Sequence, residues 1–191
     1  QLSACKLSLL LGVFTPTNQV ERFLRFARRM LGADQAVLAF HNEPYIWYSS
    51  THGFKAFCSL GETCLSTYFE GQAFIDHQHV QYPNLVQHVS QFGAEAKRYL
   101  AFDLRMSDGV SIGQALFFDL HQQCFNPEDI ATVQDFTNSL THIIELKADH
   151  ADLKEMYEQQ AALNFSKTKF FQIIAHDLRA PFHGLLGFSE V

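Results

Sequence analysis

The chain has no apolar run approaching the ~18 residues that a membrane-crossing helix needs, and no secretory leader pattern. Cysteine is scarce: Cys5, Cys58, Cys64 and Cys124 are the four, with no C-x-x-C spacing. That usage fits reduced thiols and a cytoplasmic location. Positive charge is also short, with 14 Lys and Arg against 20 Asp and Glu and a formal net charge of −6. No face is basic enough to displace counterions from a nucleic-acid backbone, so nucleic acid is not an expected partner. A glycine-rich loop able to cradle phosphates is missing too. Finally, no glycine or proline interrupts the stretch from Ile130 to Pro181.

What is present is an apolar fraction of 47 %, enough to build a core without disulfides or metals, and 19 phenylalanines that suit helices packed on a sheet. From Gln19 to Leu31, Val20, Phe23, Leu24, Ala27, Met30 and Leu31 recur at helical spacing, and Arg22, Arg25, Arg28 and Arg29 are expected on a solvated face. Gly32 ends that helix. Ala36 to Phe40 then reads as a buried strand, and Tyr45 to Tyr48 as its hairpin partner. Ser50 to Gln91 is less patterned, with an amphipathic piece at Leu65 to Phe69 and the histidines His77, His79 and His88. Beyond it, Arg98 to Arg105 and Ile112 to Leu120 read as strands joined by a turn at Ser107-Asp108-Gly109. Asn126-Pro127-Glu128-Asp129 marks a helix start, with a cap, a proline in the first turn and acids beside it. Ile130, Val133, Phe136, Leu140 and Ile143 are its expected core face.

This order resembles a GAF domain from about Val20 to Leu146. The resemblance is carried mainly by Ser107-Asp108-Gly109-Val110-Ser111-Ile112-Gly113-Gln114-Ala115-Leu116 and by Phe125-Asn126-Pro127-Glu128-Asp129. It implies an α+β fold, an antiparallel sheet flanked by helices. GAF domains in general sense small molecules, bind chromophores or mediate dimer contacts, so a small-molecule ligand is an implied partner.

After Ile144 the helical pattern continues. Leu153, Met156, Gln160, Leu163, Lys167, Phe170 and Ile174 alternate at three and four residues, the spacing of a coiled-coil seam. Gln160 and Lys167 make the seam imperfect, which lowers stability and allows two arrangements of similar energy. The expectation is a parallel homodimer.

Toward the end, Phe171, Ile174, Leu178, Phe182 and Leu185 fall in one sector at about 100° per residue, the buried seam of a helix. His176 lies roughly 160° from its centre by the same geometry and is expected to face water. Asp177 beside it supplies a carboxylate that can orient an imidazole proton. Pro181 removes the amide that would bond the carbonyl of Asp177 and invites a kink one turn beyond the histidine. Phe170-Phe171, Ala175-His176-Asp177-Leu178-Arg179-Ala180-Pro181-Phe182 and Leu186-Gly187 resemble the H-box of HisKA-type dimerisation and phosphoacceptor domains, found in sensor histidine kinases of two-component systems. By that resemblance His176 is the phosphoacceptor, Asp177 the general base and Pro181 a conformational element. A response-regulator receiver domain is the implied partner, and ATP with Mg, held by a separate downstream domain, the implied phosphoryl source. Ala180 stands where the family carries Thr or Asn, so the resemblance does not extend to phosphate removal from the regulator.

Other chemistry is weaker. His77 and His79 have no third ligand at a convincing spacing, so no metal is expected, and they read as polar loop residues. Cys58 and Cys64 lack the flanking residues of photoreceptor GAF domains and read as small apolar side chains. The expected organisation is a lead-in at 1–18, a GAF-like sensor domain at 19–146, a coiled-coil signalling helix at 147–168 and a truncated phosphoacceptor helix at 169–191. Starting at Gln1 and stopping within a helical pattern, the sequence reads as part of a longer protein whose other segments leave membrane attachment open. Two other functions fit it: a non-catalytic binding or dimerisation module with a degenerate H-box, or a histidine phosphotransfer protein.

Overall fold

The computed structural model describes residues 6–13, 18–58, 64–93 and 95–178, with side chains described except at 6, 9 and 164–178. Contacts divide the chain into one compact unit spanning Gln1–Leu146 and a second spanning Lys147–Val191. In chain order the first unit contains α1 (Lys6–Leu10), α2 (Gln19–Leu31), β1 (Gln35–Phe40), β2 (Tyr45–Ser50) and β3 (Gly53–Cys58). These are followed by a 3₁₀ turn (Ser66–Phe69), β4 (Phe74–Ile75), α3 (Tyr82–Ser90), β5 (Arg98–Arg105), β6 (Ser111–Asp119) and the start of α4 (Pro127–Leu178).

Local chemistry sets the helix ends. Asn18 Oδ1 accepts from the Glu21 amide at 3.0 Å and caps α2. At the other end Gly32, at φ +66°, takes the left-handed turn that closes the helix. Asn126 Oδ1 accepts from the Glu128 amide at 2.9 Å, just ahead of Pro127 at the head of α4.

The six strands form one antiparallel sheet in the order β3-β2-β1-β6-β5-β4. Side chains alternate across it, so each central strand supplies two faces. One face carries Ala36, Leu38, Phe40, Trp47, Leu100, Phe102, Leu104, Ala115 and Phe117, and packs on Val20, Phe23, Leu24 and Ala27 of α2 and on Ile130, Val133, Leu140 and Ile144 of α4. The opposite face carries Val37, Tyr48, Tyr99, Ala101, Leu116 and Phe118, and packs on Phe69, Leu85 and Val89. At Gly113 the two middle strands approach so closely that a Cβ would lie 2.3 Å from the Ala39 carbonyl oxygen. The glycine is required by that contact and not by its backbone angle.

Four expectations need correction. Arg28 is buried, 8 % exposed, and does not join the solvated face; Nη1 reaches the Ala33 carbonyl at 3.5 Å. Burial, and then the charge of Arg29, lower its pKa. Phe136, expected in the core, is 39 % exposed because it stacks on Phe26 of α2 at a centroid distance of 4.2 Å, outside the packed layer. Ile144 holds the inward position expected of Ile143, which is only partly buried. Cys58 and Cys64 are exposed and not packed as small core residues.

In the second unit α4 continues to Leu178. Leu153, Met156 and Leu163 are 65, 65 and 59 % exposed there. Among the described residues no helix is long and apolar enough to cross a membrane.

Candidate functional site

Beneath the second sheet face lies a cavity of about 460 Å³. Its walls come from strands far apart in sequence: Val37 and Ala39 of β1, Ile46 and Tyr48 of β2, Phe57 of β3, and Gln114, Leu116 and Phe118 of β6. Across from them stand Leu65 and, from α3 and the turn after it, His88, Val89, Phe92 and Gly93. The register pairs Val37 with Leu116 and with Tyr48, so these side chains share one face by strand geometry.

Two polar arrangements border this apolar hollow. Asp103, only 5 % exposed, accepts from Ser111 Oγ at 2.6 Å, Gln114 Nε2 at 3.1 Å and Arg105 Nε at 2.7 Å. Arg105 also holds the Gly71 and Gln72 carbonyls at 2.9 and 3.0 Å, which ties the loop before β4 to the sheet. Gln114 Oε1 lies 3.2 Å from His41 Nε2, which in turn lies 3.4 Å from Cys64 Sγ. The second arrangement is Tyr68 with His88. The Tyr68 hydroxyl lies 3.0 Å from His88 Nδ1, and His88 Nε2 is buried without a hydrogen-bond partner among the described residues.

The residues singled out from sequence have different fates. His176 and Asp177 lie on the helical backbone of α4, but their side chains, like the whole of Pro181, fall outside the described residues. His77 and His79 lie in a loop, where His79 Nδ1 accepts from the Gln81 amide at 3.0 Å. His88 was grouped with them in sequence, yet it sits on α3 and faces different partners. Cys58 lines the cavity, and Cys64 stands beside His41. Among the described residues one set of potential metal ligands clusters: Asp34, Asp119 and His121, within 4.8 Å of one another. Both Asp119 oxygens, however, accept from Arg98, at 2.6 and 2.8 Å. The guanidinium already supplies the positive charge that a cation would bring. Sequence reasoning missed the cavity because no two consecutive residues announce it; its lining is assembled by the sheet.

No family model matches the sequence, and no curated protein does. Solved structures do. The GAF domain of the cyanobacteriochrome TePixJ aligns at a TM-score of 0.50 and 11 % identity, over 78 % of this chain and 98 % of its own. The described sheet and helices have the GAF fold. A bacteriophytochrome from the photosynthetic bacterium R. palustris aligns at a TM-score of 0.52 and 11 % identity, over 78 % of this chain and 38 % of that longer one. The GAF-B domain of DevS from Mycobacterium smegmatis is more distant, at a TM-score of 0.45 and 12 % identity over 70 % of this chain and 95 % of its own. At such identities the likeness is one of fold alone. Within the GAF-fold domain the cavity, bounded by sheet, α3 and Leu65, is a concave, largely apolar feature of the form that small-molecule sites take.

Proposed function

We propose that this chain is the sensor and phosphoacceptor portion of a two-component sensor histidine kinase. One observation carries the reading: a single helix, Pro127–Leu178, supplies Ile130, Val133, Leu140 and Ile144 to the core of the GAF-fold domain and includes His176-Asp177 near its other end. A change in the packing of the domain therefore acts on the same element that bears the phosphoacceptor. The exposed Leu153, Met156 and Leu163 support pairing of two such helices, because apolar residues at alternating three and four spacing are the seam of a coiled coil.

In the proposed reaction a nitrogen of neutral His176 attacks the γ-phosphorus of Mg-bound ATP held by a separate catalytic domain. The bond from that phosphorus to the bridging oxygen breaks, ADP leaves, and Asp177 takes up the proton released by the imidazole. The phosphohistidine then donates its phosphoryl group to an aspartate of a response-regulator receiver domain. A ligand in the cavity sets the balance between helix arrangements that expose His176 and those that hide it. The cytoplasm, where ATP and the regulator are found, is the proposed location. The cavity alone favours a second reading, a GAF binding module with no phosphoacceptor role. Labelled ATP separates the two: the full-length protein acquires acid-labile phosphate and the His176→Gln variant does not, whereas equal labelling of both refutes the kinase reading.

A further inference from the structure

The lining of the cavity constrains what it can hold. None of the described lining residues is Lys, Arg, Asp or Glu. A buried phosphate or carboxylate without a cation is strongly disfavoured.

Internal pairing then decides which polar groups remain. Gln114 Nε2 donates to Asp103 and Ser111, and Oε1 lies 3.2 Å from His41 Nε2. Gln35 Oε1 accepts from the Tyr48 hydroxyl at 2.8 Å, which leaves its amide N–H₂ as the side chain's available donor. The Tyr68 hydroxyl lies 3.0 Å from His88 Nδ1, and we assign the phenol as the donor of that bond. The tautomer assigned on that basis has its proton on Nε2, the buried atom without a partner among the described residues. The donors left over are the Gln35 amide and, in that tautomer, His88 Nε2–H, while the Tyr48 hydroxyl, its proton already given to Gln35, keeps its oxygen as an acceptor.

We infer that the cavity takes an uncharged, flat, mainly apolar molecule whose carbonyl-type acceptor is read by His88 Nε2–H, with the Gln35 amide as a second donor. Aromatic walls from Phe57, Phe118, Tyr48 and Phe92 suit a planar ring system. Nε2 is shielded from solvent, so docking requires a side-chain adjustment at the cavity wall. Phe92, 54 % exposed and in ring contact with His88 at 5.3 Å, is the adjacent lining residue. Cyclic nucleotides and acids of similar size are disfavoured by their charge. The inference rests on the cavity being the sensory site proposed above, but it is tested by binding alone.

Calorimetric titration of the whole chain with three probes tests it: coumarin, which is flat, neutral and carries one carbonyl acceptor; coumarin-3-carboxylate, the same ring with a charge; and naphthalene, with no acceptor. Coumarin and naphthalene are expected to bind one site, and the carboxylate at least tenfold more weakly than coumarin. His88→Phe should weaken coumarin roughly tenfold while leaving naphthalene within twofold, because only coumarin loses a hydrogen bond. Ala39→Phe, or Leu116→Trp if the first variant unfolds, should abolish binding of both by filling the cavity. The inference is overturned if the carboxylate binds as tightly as coumarin, if neither neutral probe binds, if the cavity-filling variant still binds, or if His88→Phe affects both neutral probes equally. Failure here with His176 still phosphorylated would remove the ligand class alone. Binding as expected with no phosphohistidine would remove the kinase reading alone.

Discussion

Arg98 and Asp119 face each other across β5 and β6 and join through two hydrogen bonds, Nε to Oδ1 at 2.6 Å and Nη2 to Oδ2 at 2.8 Å. The same guanidinium reaches the Gly32 carbonyl at the end of α2 and the Gln123 carbonyl ahead of α4, both at 3.1 Å, and lies 4.0 Å from the Phe125 ring centroid. One side chain thus ties the sheet to the loops that position both packed helices.

Burial by itself raises the Asp119 pKa, but the Arg98 hydrogen bonds, the His121 amide and the charges of Arg98 and His121 outweigh it and hold the carboxyl below its usual range. A depressed folded pKa stabilises the protein above the unfolded value of roughly 3.9 and loses that contribution as pH falls through the folded value. Asp119→Asn should cost about 3 kcal/mol at neutral pH, because it leaves Arg98 without its carboxylate. It should also flatten the acid limb of the stability curve. Urea midpoints between neutral pH and pH ~3 check both effects.

Gly113→Ala should be destabilising by roughly 2–3 kcal/mol. The added methyl meets the Ala39 backbone, which cannot swing aside as a flexible side chain would. A shift of the denaturant midpoint without a change of slope is the expected signature.

Asn18→Ala should cost about 1 kcal/mol through loss of the α2 cap. The cost should be greater than for an ordinary cap, since Asn18 Nδ2 also donates to the Val13 carbonyl at 3.0 Å and is buried. Thermal unfolding in Asn18→Asp, which keeps the cap and loses that donor, separates the two contributions.

The proposed dimer seam predicts that Leu153→Glu together with Leu163→Glu converts the protein to a monomer in sedimentation equilibrium while the near-UV spectrum of the GAF-fold domain persists. Both side chains are more than half exposed, so the substitutions should not disturb the core of the first unit.

The sequence announced those features whose cause is local. Asn126-Pro127 opens α4 and Gly32 closes α2 because capping and left-handed turns need particular residues at particular places. The β1–β2 hairpin and the β5–β6 pair follow from alternation and turn chemistry. β3 escaped notice because it is an edge strand, mostly exposed on both faces, with no buried alternation to read. β4 is two residues long, too short for any period. Phe136 and Arg28 were misjudged because an apolar residue can stack outside a core and a charged one can be drawn in by its stem, and only the neighbouring element decides. The cavity depends on Val37, Tyr48, His88 and Leu116 meeting across the fold, a relation that no window of sequence contains.

The central claim concerns one imidazole, and locating the phosphoryl group tests it most directly. The full-length protein is incubated with ATP and Mg, digested with trypsin at neutral pH and analysed by mass spectrometry of the Phe170–Arg179 peptide. The account predicts a phosphoryl group on His176. A phosphoryl group on another residue, or none on a protein that binds ATP, would contradict it.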